Sequence, residues 1–70
     1  MTMRKYTSII FFENRPPMRL RMVTRDFRSF WYWLERNRYQ WTAINVYDRN
    51  TSGFVTQLTN KNYWNKIKNL

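Results

Sequence analysis

The chain has 70 residues, with 13 Lys and Arg against 4 Asp and Glu, a formal charge of +9, no Cys and no His. One small domain is the most such a length supports, and composition alone excludes disulfides, Cys/His zinc sites and Ser-His-Asp or Cys-His catalytic sets. What remains open is non-catalytic binding to something acidic.

A mean hydropathy of −0.81 suggests disorder. The aromatic content, 20% of the chain, argues the other way. Disordered segments lack bulky apolar residues because they cannot bury enough surface to offset chain entropy. Trp31, Trp33, Trp41 and Trp64, with five Phe and five Tyr, each offer about 150–250 Å² of burial. A folded but marginal domain is expected. A core of this size without staples supplies at most about 3–5 kcal/mol, so a homodimer would be one route to further stability.

The longest apolar runs are Ile9-Ile10-Phe11-Phe12 and Phe30-Trp31-Tyr32-Trp33-Leu34. A membrane span needs about 20 residues. The start, Met1-Thr2-Met3-Arg4-Lys5, is basic, but the apolar stretch after it is too short for a signal peptide and no small-residue cleavage site follows. A cytoplasmic protein is expected, and the absence of Cys agrees with it.

Residues 5–13 are β-branched and aromatic and predict a strand. Asn14-Arg15-Pro16-Pro17 breaks it, because Pro has no N–H for a ladder and restricts its predecessor. Residues 18–23 alternate, with Met18, Leu20 and Met22 on one side and Arg19 and Arg21 on the other. This is the pattern of a half-buried strand, and the short break predicts an antiparallel hairpin. Thr24 is read as a helix N-cap with Asp26 in the first turn. Phe27, Phe30, Trp31 and Leu34 then recur at helical spacing, predicting a helix over about 25–37.

Residues 40–47 and 54–59 read as two more strands, joined by a turn over 48–53 in which Gly53 is expected to take positive φ. After Asn60 a short helix would place Tyr63, Trp64 and Ile67 on one side. The expected fold is α+β: a four-stranded, mostly antiparallel sheet in the order β-β-α-β-β, one main helix on one face, and a short C-terminal helix.

At 100° per residue the stripe Phe27/Phe30/Trp31/Leu34 is the buried side of the main helix, and Arg25, Arg28, Tyr32 and Arg36 line the opposite side. Arg19 and Arg21 make a second basic surface on strand two, and Arg38 adds charge beyond the helix end. If Ile44 and Val46 face the helix, strict alternation sends Trp41, Asn45 and Tyr47 to the other face. Rings beside arginines resemble, in chemistry only, the platforms on which single-strand binders stack bases while arginines neutralise phosphates. Nine of the 13 basic residues are Arg, which recognises phosphate and carboxylate bidentately and stacks on rings.

Each signal also has a plainer reading. A charged helix side is what most solvated helices carry. Arg19 and Arg21 could serve only to keep an edge strand from aggregating. The tail helix or a second copy could cover Trp41 and Tyr47. The conjunction of these signals with a +9 charge favours nucleic acid.

Catalysis has little to work with. Glu13, Asp26, Glu35 and Asp48 are scattered, so neither a carboxylate pair nor an acid cluster for a metal is readable, and one glycine cannot build a phosphate-cradling loop. No cofactor and no metal are expected. The expected function is non-catalytic binding of single-stranded DNA or RNA with low sequence specificity, since no base-reading motif is present. The alternative is a small inhibitor or adaptor that docks on an acidic host protein, because a short Asn-rich chain without catalytic equipment resembles in style the accessory proteins that phages and mobile elements encode. A third expectation, association with anionic lipid through an Arg/Trp-rich helix, is weakened by the strand signals.

Overall fold

The computed structural model describes residues 4–68 and Leu70, apart from the side chain of Thr24. The first three residues of the basic start, and the Thr24 hydroxyl as a helix cap, therefore lie outside the described residues. Two strands, β1 (Lys5–Phe12) and β2 (Met18–Val23), form the expected hairpin. A single turn of 3₁₀ helix (Thr24–Asp26) leads into α1 (Phe27–Arg36). Then follow β3 (Trp41–Asp48), β4 (Phe54–Thr59) and α2 (Tyr63–Ile67). All strand pairs are antiparallel and the spatial order is β2-β1-β3-β4. The α+β architecture expected from the sequence is the one observed.

Alternation in β1 buries Tyr6, Ser8 and Ile10. With Met22 of β2, Ile44 and Val46 of β3 and Leu58 of β4, they form the sheet side of the core. Phe30 and Leu34 of α1 close it from above. Phe27, Trp31 and Trp33 are partly buried around them, which fits an amphipathic helix that packs one stripe inward.

Helix α1 begins later than its sequence pattern suggests. Its N-cap is Asp26, which makes no side-chain cap bond. The Asp26 carboxylate instead accepts from the Val23 N–H at 3.0 Å. The chain has to turn from edge strand β2 onto the sheet face within three residues, and a tight 3₁₀ turn pinned by Asp26 does this. At the other end, the backbone N–H and the Nδ2 of Asn37 both donate to the Trp33 carbonyl, at 3.0 and 2.9 Å. This stops the helix at Arg36.

Two β-bulges decide which face several aromatics occupy. Phe11 pairs with Ala43, but Phe12 pairs with Trp41, so Thr42 is an extra residue in β3. Its hydroxyl donates to the Phe11 carbonyl at 3.2 Å. The insertion turns Trp41 over to the helix side, where it is 1% exposed. Strict alternation would have left Trp41 beside Asn45 and Tyr47, so its expected place on the open face is corrected here. In β4 the extra residue is Val55: Val46 pairs with Thr56 and Tyr47 with Phe54. This one turns Phe54 out onto the face that carries Tyr47.

Trp41 is the point where three elements meet. Its Nε1 donates to the Leu34 carbonyl at 3.2 Å. Its ring meets Tyr63 of α2 edge to face, centroids 5.5 Å apart, and its carbonyl accepts from Asn60 Nδ2 at 2.8 Å. The tail thus covers Trp41 but not Tyr47. In α2 only Tyr63 is buried, Ile67 is half-buried, and Trp64 is 50% exposed with the Lys68 ammonium 3.9 Å from its ring centroid. The inward side expected to hold Tyr63, Trp64 and Ile67 therefore lacks Trp64.

In the 48–53 turn, the Asp48 carboxylate accepts from the N–H groups of Asn50 (2.8 Å) and Thr51 (3.2 Å). The residue with positive φ is Ser52, at 62°, and not Gly53. Gly53 is needed for a different reason. A Cβ there would stand 3.2 Å from Thr51 Oγ1, and the Gly53 N–H donates to that same hydroxyl at 3.1 Å.

Replacing Trp41 with Ala should cost about 3–5 kcal/mol, the usual range for a buried large aromatic. That equals the whole stability expected of a core this small, so urea titration should show the variant largely unfolded at 25 °C. A stable, cooperative Trp41→Ala variant would show that Trp41 does not hold the two helices to the sheet.

Candidate functional site

Both helices pack on one side of the sheet, and the opposite side is left open. Strand register sets two rows of side chains across it. The first runs Arg21, Thr7, Tyr47, Phe54, one residue from each strand in spatial order. The second runs Arg19, Ile9, Asn45, Gln57. Four strands about 4.8 Å apart make each row about 14 Å wide.

Tyr47 and Phe54 meet edge to face at 5.8 Å between centroids. Phe54 is 61% exposed, a high value for a large apolar ring. Gln57 Nε2 donates to Asn45 Oδ1 at 3.0 Å, and Asn45 Nδ2 points at the Tyr47 hydroxyl at 3.4 Å. These bonds steady the middle of the face. Arg19 and Arg21 are exposed, and among the described residues neither side chain makes a hydrogen bond or an ion pair. Their charge is available to a ligand.

At one end of the rows lies a depression of about 340 Å³ lined by Thr7, Ile9, Arg19, Arg21, Tyr47, Asp48, Arg49 and Ser52. Arg49 is part of the scaffold here. Its backbone N–H donates to the Lys5 carbonyl at 3.0 Å. One terminal nitrogen of its guanidinium donates to the carbonyls of Tyr6 (3.0 Å) and Met22 (3.1 Å). Its Nε is buried and has no partner.

The structure divides the residues expected to bind. Arg19, Arg21 and Tyr47 share the open face. Arg25, Arg28, Tyr32 and Arg36 are exposed on the outer side of the helical layer, on the far side of the sheet. Arg38 sits beyond the helix end with its guanidinium 5.5 Å from the Tyr39 ring centroid. Trp41 is core. One continuous surface cannot include both the helix stripe and the sheet rows.

Sequence reading missed Arg49 and Phe54. Arg49 falls in a stretch that reads only as a turn, and its role depends on carbonyls of strands far away in the chain. Phe54 shares parity with Leu58, so alternation assigns it to the core, and only the Val55 bulge reverses that.

A second polar cluster lies at the tail. The Tyr63 hydroxyl donates to Glu35 Oε1 in a close contact. Burial pushes the Tyr63 pKa above that of an ordinary phenol, the hydrogen bond to Glu35 and the Glu35 charge push it further, and Arg38 pulls it back in part. A phenol kept neutral in this way is a poor base or nucleophile at neutral pH. Its evident work is to fasten α2 to α1. Among the described residues there is no group of three or more His, Cys, Asp or Glu side chains that could hold a metal ion. No helix among them is long and apolar enough to cross a membrane.

No protein-family model matches this chain, and no curated protein or solved structure is significantly similar to it. Functional reasoning therefore rests on the surface itself.

The Tyr63–Glu35 bond gives a stability prediction with a definite sign. Because the folded pKa of Tyr63 is raised, its contribution is fully present below about pH 10, the unfolded value, and is lost as pH climbs through the higher folded value. Urea midpoints should fall above pH 10 in the wild type. In Tyr63→Phe the unfolding free energy should be lower below pH 10, by about 1.5–3 kcal/mol for a bond to a charged acceptor, and the alkaline fall should be shallower.

Proposed function

We propose that this protein binds single-stranded nucleic acid across the open face of its sheet, with low sequence specificity and without chemistry on the bound strand. The observation that carries the reading is the row Arg21–Thr7–Tyr47–Phe54, in which two rings stand side by side with a cation in the same row, beyond Thr7. Every base has a face that can stack on such rings, so stacking tolerates sequence, and arginines supply phosphate neutralisation. The neighbouring row adds Arg19 for charge and Asn45 and Gln57 as amide groups. The overall charge of +9 speeds encounter with any polyanion.

The helix stripe of Arg25, Arg28 and Arg36 contributes long-range attraction in this reading but no stacking site. Tyr32 is its only ring. The two basic surfaces read from the sequence thus have different parts.

Fluorescence anisotropy with labelled oligonucleotides tests the proposal. Binding should be detectable well below ~100 µM at low salt, since even non-specific complexes reach Kd values of about 10⁻⁴–10⁻⁶ M in physiological salt. Arg19→Gln and Arg21→Gln should each lower the slope of log K against log salt by about 0.7, the single-strand value per phosphate contact. Tyr47→Ala and Phe54→Ala should each weaken binding by about 1–3 kcal/mol. The triple change Arg25→Gln, Arg28→Gln, Arg36→Gln should weaken it less than the sheet variants do. The reverse ranking would move the interface to the helix. A tagged copy that retains a protein partner from lysate after nuclease treatment, and binds no oligonucleotide, would instead mark the chain as a docking protein for an acidic neighbour.

A further inference from the structure

The depression at the end of the open face has features that a surface for internal phosphodiesters does not require. Three arginines, Arg19, Arg21 and Arg49, line one concavity together with Thr7 and Ser52. One of the three is fixed: two backbone carbonyls hold a terminal nitrogen of Arg49, so its orientation is set before any ligand arrives. Its Nε lacks an acceptor in a buried position.

One carboxylate, Asp48, also lines the depression. Its Oδ1 is already engaged by the N–H groups of Asn50 and Thr51, so it braces the turn and faces three cations. At about 340 Å³ the space lies at the small end of the range for small-molecule pockets, about 300–1,000 Å³. The 48–53 turn forms one wall through Asp48, Arg49 and Ser52. An internal phosphodiester must leave its site in two directions, and a wall on one side obstructs that. A phosphate at the end of a strand leaves in only one. It also carries about −1.5 to −2 charge at pH 7 and three strong acceptor oxygens, which suits a concavity lined by three arginines.

We propose that this depression is the seat for a terminal phosphate monoester of a single strand, with Arg49 as the fixed contact and Arg19 and Arg21 closing on it from the sheet. The assignment rests on the open-face reading above and gives the bound strand an end and a direction. The chain would then recognise phosphorylated strand ends, the products of nucleases that leave a terminal phosphate, over intact internal sequence.

The test uses one internally labelled oligonucleotide in three forms: 5′-phosphate, 3′-phosphate, and hydroxyl at both ends. One phosphorylated form should bind about tenfold tighter than the hydroxyl form, the yield of roughly one added charge-assisted hydrogen bond. Arg49→Gln should abolish that preference. Because Arg49→Gln also removes two bonds to strand carbonyls, Arg21→Gln, an exposed position, serves as the second variant and should reduce the preference too. In the wild type, the Arg49 Nε–H resonance in a ¹H–¹⁵N spectrum should shift with the preferred phosphorylated oligonucleotide and stay in place with the hydroxyl form. Equal binding of all three forms overturns the terminal-phosphate assignment and leaves the open-face reading intact. Failure of every form to bind overturns both.

Discussion

The insertion of Thr42 into β3 turns a tryptophan through the sheet, and the rest of the molecule is arranged around that tryptophan. Inside, Trp41 offers its Nε1 to the last turn of α1, its ring to Tyr63 of α2, and its carbonyl to Asn60. Three pieces of chain are fastened at one residue. A buried indole N–H must find an acceptor or lose about 1–3 kcal/mol, so the Leu34 carbonyl fixes both the height and the rotation of α1 over the sheet. With the main helix and the tail both committed to this side, the other side of the sheet stays uncovered.

An uncovered sheet face in so small a chain needs an explanation, since buried area is scarce and every face left open gives up stabilisation. The open side is not simply polar. It presents Tyr47 and an exposed Phe54 in line with Arg21, while Arg19 stands in the next row. Thirteen basic residues also repel one another in the folded state. A polyanion laid across the rows would relieve that repulsion and cover the rings together. The same surface thus explains two features that are unfavourable for stability alone, the excess charge and the exposed phenylalanine.

The polar groups of the two ends play different parts. At the tail, burial and then Glu35 raise the Tyr63 pKa, and the pair works as a clasp between helices. At the other end, Arg49 is clasped by backbone carbonyls through one nitrogen yet keeps a buried Nε without an acceptor. The first pair joins two helices, whereas Arg49 ties the 48–53 turn to β1 and β2.

Much of this was legible from residue order. Element sequence, the β1–β2 hairpin, the Phe30/Leu34 stripe and the inward placement of Ile44 and Val46 follow from periodicity and from Pro and Asn breaks, which act over a few neighbouring residues. Arg19, Arg21 and Tyr47 were placed on the open face by the same alternation. What tertiary structure decided was the face of every residue beyond a bulge. Trp41 went inside and Phe54 outside because one extra residue in a strand reverses parity, and the pattern of a single strand does not record where its partner absorbs the slip. Arg49 became part of the site because β1 and β2 bring Tyr6 and Met22 carbonyls within its reach. Such contacts join positions far apart in the chain, and only the assembled sheet brings them together.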